Sequence, residues 1–457
     1  MTERPTVIVS NRGPVAFRHD DDGELSARRG AGGLVSGLGP IVAGTDTTWV
    51  AAAMSEADRE AASGGVIEAE GFRVRTVAID PGTYRMAYDV IANATLWFTH
   101  HGMFDRPHRP RFDRRWREAW QAYRDLNEAF AVAVADAAPA DAVVLVQDHH
   151  LALLGPTLQA RRPDVTAVHF SHTPFPGPDD LAVLPGEIGV ELLEGMTGHH
   201  ACGFHTERWR AAFDASCEAV LGRLGNSFVS PLSSDPDDIA AVAASPAGQA
   251  ARGELDDLLG DRAFIARVDR IELSKNLLRG FDAFDDLLTT HEQWRERVVF
   301  GAFVYPSREG LPEYLAYRQQ VESAAQAVNA RWGTDSWTPV VLDTSDDFPR
   351  SVAALTRYDV LLVNPIRDGL NLVAKEGSLV NDRDGVLCLS PEAGAWAELG
   401  SASVEVHPYD VAGTADALDH ALTMSAADRA AQAEARRSIV RSRTPADWLA
   451  DQRAAAT

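Results

Sequence analysis

The chain has 457 residues, 45% hydrophobic and 24% charged. This is an ordinary globular composition, long enough for two α/β domains of roughly 200 residues each. Lys+Arg 43 against Asp+Glu 66 leaves a formal charge of −23, which repels nucleic acid and anionic membrane over most of the surface. No apolar run approaches the ~20 residues needed to cross a bilayer, so neither a nucleic-acid nor a membrane partner is expected.

Residues 1–5 carry no apolar signal core and run straight into a strand-like segment, so a cytoplasmic protein is expected. The first strand, VIVSN (7–11), places Arg12 immediately after it. A polar, acidic, glycine-punctuated stretch follows at 19–33 and reads as a mobile loop. Gly30, Gly32 and Gly33 there let backbone approach a ligand closely, and 33–38 can open a helix beneath it. Residues 112–135, 206–221 and 311–332 repeat apolar positions at helical spacing. Between them lie the strands AVVLVQ (142–147), VTAVHF (165–170), FIARV (264–268), RVVFGAFV (297–304) and VLLVN (360–364). Strands alternating with helices predict parallel sheets covered on both faces. Ligands of such sheets sit beyond the carboxyl ends of the strands, which is where Asp148, His172 and Arg308 fall. The stretch 227–253, rich in Ser, Pro, Asp and Ala, reads as an interdomain linker. The end of the chain, 426–456, is a run of helix formers.

Only two of the 43 cationic side chains are lysines, Lys275 and Lys375. A compact ammonium survives where arginine otherwise prevails, and both lysines fall in candidate phosphate-binding segments. In ARVDRIELSKN (266–276), Arg270 and Lys275 converge as a strand ends, two cations placed to clamp a diphosphate and neutralise it as a leaving group. In RDGLNLVAKEG (367–377), Asp368 and Gly369 are predicted to open a helix whose free N–H groups form an anion site. Glu376, just over two turns on, is placed to accept hydrogen bonds from vicinal hydroxyls such as those of a ribose. The cysteines, Cys202, Cys217 and Cys388, are few and far apart and read as reduced buried thiols. The adjacent histidine pairs at 100–101, 149–150 and 199–200 lack metal-ligand spacing, and strand neighbours point to opposite faces. No metal or other cofactor is expected.

Taken in order, VSNR with GAGGL, Tyr88 with NATLW, VQDHHL, FSHTPFP, CGFHTE, Arg270 with Lys275, YPSR and RDGLNLVAKE resemble the trehalose-6-phosphate synthase family of retaining glycosyltransferases, family 20. The resemblance implies the GT-B architecture, two Rossmann-like doubly wound domains facing across a cleft. An acceptor domain would span 1–235 with 440–457 crossing back to it, and a nucleotide-sugar domain 236–439. It implies transfer of glucose from an NDP-glucose to glucose 6-phosphate, giving α,α-trehalose 6-phosphate. Arg12, Tyr88, Trp97 and Arg308 would form the acceptor pocket, with Asp148 and His172 touching the reacting sugars. Gly33 would contact the donor phosphate through its backbone and Arg270 with Lys275 would clamp the diphosphate. Asp368 would meet a donor-glucose hydroxyl, Gly369, Leu370 and Asn371 would offer amides beside it, and Leu372 and Glu376 would meet the nucleotide. RIELSKN replaces the residues around the family's cations, and SPLSSD (230–235) stands in place of its usual turn. UDP, GDP and ADP therefore all stay open as donor nucleotides. The competing readings are a pseudo-glycosyltransferase joining a nucleotide-linked cyclitol to a cyclitol phosphate, another sugar- or polyol-phosphate acceptor, and an inactive sugar-phosphate sensor. The partners expected are the two small substrates, and a homo-oligomer is compatible with the sequence.

Overall fold

Apolar β-branched runs cannot show either face to water, and the chain covers them with helices twice over. The computed structural model describes residues 4–20, 24–30 and 33–457. Gly32, expected in the glycine loop, lies outside the described residues, as do Asp21, Asp22, Gly23, Ala31 and residues 1–3. The chain divides into two compact units, Met1–Leu232 with Pro445–Thr457, and Ser233–Thr444.

The first unit is built on an eight-stranded sheet. Its spatial order is Ser227–Val229, Ala201–Phe204, Thr166–Ser171, Val143–Gln147, Thr6–Ser10, Thr48–Ala52, Phe72–Val77 and Val66–Ala69. All neighbours are parallel except the edge strand Val66–Ala69, which runs antiparallel to Phe72–Val77. The central strands Thr6–Ser10 and Val143–Gln147 are buried throughout. Helix Arg114–Ala137, capped by the Asp113 carboxylate accepting from Trp116 N–H, lays Trp120, Tyr123 and Phe130 onto this core.

The last helix, Pro445–Ala454, belongs to this unit for identifiable reasons. Leu449, Ala455 and Ala456 pack over Val143, Leu145 and Val168. Ser230 Oγ donates to Asp451 at 2.8 Å, Arg453 donates to Thr6 Oγ1 at 2.7 Å, and Arg4 donates to the Ala456 carbonyl at 3.2 Å.

The second unit carries a six-stranded, all-parallel sheet in the order Val340–Asp343, Val298–Pro306, Ala263–Ile271, Val360–Val363, Val386–Leu389 and Val404–Glu405. Phe281, Phe284, Leu287 and Leu288 of helix Leu277–Thr290 seal one face of it.

Two expectations change. The stretch 19–33 is not an open loop: Val15–His19 and Leu25–Arg29 pair as an antiparallel hairpin, and helix Gly33–Val42 follows. Its second strand, LSARR, is polar and half exposed, so it lacked the apolar signal of a strand. The stretch 227–253 does contain the boundary between the units, after Leu232, but it is not a flexible connection. It holds the edge strand Ser227–Val229 and helices Pro236–Ala244 and Pro246–Leu259, started by Asp235 and Ser245 caps with proline at the first position. Two of the three prolines that suggested a flexible connection, Pro236 and Pro246, are helix starts. All three cysteines are buried and unpaired, and burial pushes the Cys217 and Cys388 thiols up to about 12. Among the described residues no helix is long and apolar enough to cross a membrane.

Candidate active site

In the second unit, strand Ala263–Ile271 ends in a short turn, Leu273–Lys275. Asn276, in the left-handed region at φ 63°, then redirects the chain into helix Leu277–Thr290. This turn aims the Lys275 ammonium at two carboxylates, Asp368 at 2.7 Å and Asp269 at 3.4 Å. Burial works against its charge, but Asp368 and then Asp269 outweigh it and hold its pKa above the usual lysine range. Asp269 is in turn 3.2 Å from Arg267, whose side chain is fully buried. Arg267 also donates to Asn364 Oδ1 at 2.5 Å and to the Lys275 carbonyl. Cation and anion thus alternate from Arg267 through Asp269 and Lys275 to Asp368. Helix residue Gly280 leaves room for the guanidinium, since a Cβ there would lie 2.8 Å from Arg267 Nη1.

The predicted helix start at Asp368 and Gly369 is displaced. The helix runs Leu372–Val380, with Asn371 as its cap at φ 81°, accepting from Ala374 N–H through Oδ1 and donating from Nδ2 to Asp368 at 3.1 Å. The segment before it is held as a loop by a neighbouring turn. Asp368 N–H donates to the Glu392 carbonyl at 3.0 Å, Gly394 N–H to the Asp368 carbonyl at 3.1 Å, and Ala395 N–H to the Leu370 carbonyl at 2.6 Å. Leu370 and Asn371 are buried by this contact. Gly394 was not singled out in the sequence, yet it permits the arrangement. A Cβ there would fall 2.7 Å from the Gly369 carbonyl carbon and 2.9 Å from Leu370 Cα.

The two lysines part company. Lys375 is 1% exposed and lies 2.6 Å from Glu398, with burial lowering its pKa. It is an ion-paired core residue, not a phosphate binder, because position 375 of the helix faces inward. Glu376, the next residue, is half buried, and its carboxylate has no hydrogen bond or ion pair among the described residues. Burial alone raises its pKa to about 7. Arg270 remains nearly half exposed and sits 3.1 Å from Glu272, a carboxylate that also lies 3.7 Å from Arg308. Arg308, expected among the acceptor residues, therefore belongs to the second unit and shares Glu272 with Arg270. It adopts φ 47° and donates to the Tyr314 hydroxyl at 2.5 Å.

The remaining expected residues lie in the first unit. Arg12 is exposed beyond strand Thr6–Ser10. Gly33 is the first residue of helix Gly33–Val42, and Gly30 closes onto Pro14, donating N–H to its carbonyl at 2.7 Å. Tyr88 stacks between Tyr84 (5.5 Å) and His150 (5.6 Å) on a π-helical segment, Met86–Leu96, that the sequence did not signal. Such wide turns recur at functional sites. Trp97 is 2% exposed, stacked on His101 at 4.1 Å, and offers a ligand almost no surface in this state. Asp148 sits at φ 70° and accepts from His172 N–H at 3.3 Å, with His149 Nδ1 at 3.1 Å and His150 Nδ1 at 3.8 Å. Burial would raise its pKa, but His149, His150 and His172 outweigh that and hold it well below the carboxylate range. Both ring nitrogens of His172 are engaged, Nε2 with Gln147 and Nδ1 with His205.

The strand argument against metal applies to none of the three histidine pairs: His100 and His101 end a helix, Trp97–His101, and His199 and His200 precede strand Ala201–Phe204. His149 and His150 lie on a short turn, not a strand, with rings 4.3 Å apart, and their ligand atoms and those of Asp148 fall within 4.8 Å of one another.

Two Rossmann-like units, the second presenting an ammonium, a guanidinium and the start of a helix beyond its strands, define a glycosyltransferase of the GT-B class. The chain belongs to glycosyltransferase family 20, whose model matches residues 4–456. It is 32% identical, over 97% of its length, to the bifunctional trehalose-6-phosphate synthase/phosphatase of Thermoproteus tenax, and spans 62% of that protein. Among solved structures, the E. coli trehalose-6-phosphate synthase bound with UDP-2-fluoro glucose superposes with TM-score 0.86 at 27% identity, covering 98% of this chain and 99% of that one. The α,α-trehalose-phosphate synthase (UDP-forming) of Burkholderia xenovorans, in complex with glucose 6-phosphate, gives 0.84 at 28% identity, with 98% of each chain covered.

Proposed function

We propose that this chain transfers glucose from a nucleoside diphosphate glucose to glucose 6-phosphate, with retention, forming α,α-trehalose 6-phosphate. The observation that carries the reading is the Lys275 turn. In a chain of net charge −23, the ammonium and the Arg270 guanidinium leave one strand end of the second unit together. Similarity to the E. coli enzyme bound with a UDP-glucose analogue favours UDP as the nucleotide. Incubating the protein with glucose 6-phosphate and UDP-, GDP- or ADP-glucose in turn, with NDP release as the readout, tests the reading. Acceptor-dependent release with UDP-glucose is expected, and release with none of the three would overturn it.

In the proposed step the C1–O bond to the diphosphate breaks while Lys275 and Arg270 take up the developing charge. The acceptor hydroxyl forms the new C1–O bond on the same face and passes its proton to the departing phosphate oxygen. A double displacement would need two accessible carboxyl groups about 5 to 5.5 Å apart. The carboxyl groups nearest the proposed leaving-group cation are Asp269 and Asp368, which share Lys275. Asp269 is 6% exposed and ion-paired to Arg267, so it is unavailable as nucleophile or acid. Asp368 orients the donor sugar. The positive charge a metal ion would bring is supplied by side chains, so full activity is expected in EDTA.

Two outcomes check the partition of roles. Arg12→Ala and Arg308→Ala should each raise the KM for glucose 6-phosphate roughly tenfold or more, the loss of a charged hydrogen bond of about 1.5 to 3 kcal/mol, with a smaller change for the sugar nucleotide. Steady-state kinetics with each substrate varied will show it, and equal changes for both would contradict it. Glu376, with its pKa near 7, becomes a full acceptor for ribose hydroxyls only once ionised. The KM for the sugar nucleotide should therefore fall by about five- to tenfold as pH rises from about 6 to 8. Glu376→Gln should flatten that profile.

A further inference from the structure

Strand Val143–Gln147 ends beneath the terminal helix, and the last side chain of that strand connects the helix to His172. A hydrogen-bond chain runs through five groups, and its polarity is fixed at one end by a group that can only donate. The backbone N–H of Leu232 donates to His205 Nδ1 at 3.4 Å. His205 must then carry its proton on Nε2, which donates to His172 Nδ1 at 3.2 Å. His172 is left with its proton on Nε2, donating to Gln147 Oε1 at 3.0 Å. Gln147 in turn donates from Nε2 to Gln452 Oε1 at 3.0 Å. Gln147 and Gln452 are both fully buried, as is Trp448, one turn before Gln452 on the helix. The rings are walled in: Trp448 lies 5.6 Å from His172 and 5.0 Å from Phe170, and Phe170 lies 4.9 Å from His205. Burial lowers the pKa of His172, which keeps the ring neutral.

We infer that Gln452, on the terminal helix, is a positioning residue for the first unit's site, fixing through Gln147 the Nε2–H tautomer and the ring orientation of His172. A glutamine amide has two ends of opposite polarity, and the Gln452 oxygen, by accepting from the Gln147 NH₂, holds the Oε1 end toward His172 from the side opposite His205. Without that acceptor the Gln147 amide can turn over and present its NH₂ to His172 Nε2. His172 would then have to place its proton on Nδ1, against the Nε2–H of His205, a donor facing a donor. The misalignment reaches Asp148, because the His172 backbone N–H donates to the Asp148 carboxylate. The terminal segment thus helps define the site and does more than cover the sheet.

The inference rests on the glucosyl-transfer reading for its kinetic arm only; its spectroscopic arm stands alone. In the full-length protein with ¹⁵N-labelled histidine, His172 should show a protonated Nε2 and an unprotonated, hydrogen-bonded Nδ1. Gln452→Met keeps the volume and removes the acceptor. It should alter the His172 ring-nitrogen pattern and lower kcat about tenfold, with the sugar-nucleotide KM changed by less than about threefold. Gln452→Glu retains an acceptor oxygen and should restore the wild-type tautomer and most of the lost rate. The Nδ1–H tautomer in the wild type would overturn the inference, as would an unchanged nitrogen pattern in Gln452→Met or equal loss of rate in both variants. A wild type that moves no glucose would overturn the transfer reading while leaving the tautomer result to judge Gln452.

Discussion

Replacing Lys275 by alanine is expected to lower kcat by about 10²- to 10³-fold, or ~2.7 to 4 kcal/mol, the scale seen when one preorganised stabiliser of developing charge is lost. The structure adds a second consequence. Lys275 Nζ is the shared counter-charge of Asp368 and Asp269, whose side chains are 16% and 4% exposed, so the variant leaves two carboxylates facing one another. Breaking a buried ion pair by removing one partner costs on the order of 3 kcal/mol, so the melting temperature should fall as well. The two effects separate when kcat is measured well below the new melting temperature, where the rate deficit should persist. Lys275→Arg should recover little of it, because a planar fork does not fit a turn built to bring one compact ammonium to two carboxylates. Activity of Lys275→Ala within a few-fold of wild type would remove the residue from the proposed site.

Gly394→Ala should be nearly as damaging, although residue 394 carries no functional group. An added Cβ would press into the Gly369 carbonyl and Leu370 Cα, all backbone, so the Asp368 loop and not a flexible side chain must yield. A displacement of about 1 Å at a positioning loop is enough to cost roughly 10²-fold in rate, and overpacking adds about 1 to 3 kcal/mol of destabilisation. Gly253→Ala is the matched control. It lies in helix Pro246–Leu259 with no atom within 4 Å of the new methyl, and it should leave activity intact. Equal activity of the two variants would show that the turn at Gly394 does not hold the loop.

What could be read from the sequence follows from which interactions are local. Strands such as Val143–Gln147 and helices such as Arg114–Ala137 were legible because burial imposes a period on neighbouring residues. The ends of strands were legible too, so Asp148, His172, Arg270 and Arg308 were found at the carboxyl edges of their sheets. The helix before Glu376 was placed four residues early. Its start is set by Asn371 in a left-handed conformation and by hydrogen bonds from a turn more than 20 residues later in the chain. The two lysines look equivalent in sequence context, and only packing separates Lys275, on two carboxylates beside the candidate site, from Lys375 in the core. Gln452 had no sequence signal at all, since its partner Gln147 is 305 residues away. Asp269 was not singled out in the sequence either, and only the structure shows it as the buried link between Arg267 and Lys275.

The central claim is retention through a front-face transfer in which side-chain cations, and no carboxylate nucleophile, carry the leaving group. NMR of the disaccharide phosphate made from an α-linked sugar nucleotide and glucose 6-phosphate by EDTA-treated enzyme tests it most directly. The account predicts an α,α linkage formed at an undiminished rate. A β-configured linkage, or a glucosyl adduct trapped on Asp148 or Asp368, would contradict it.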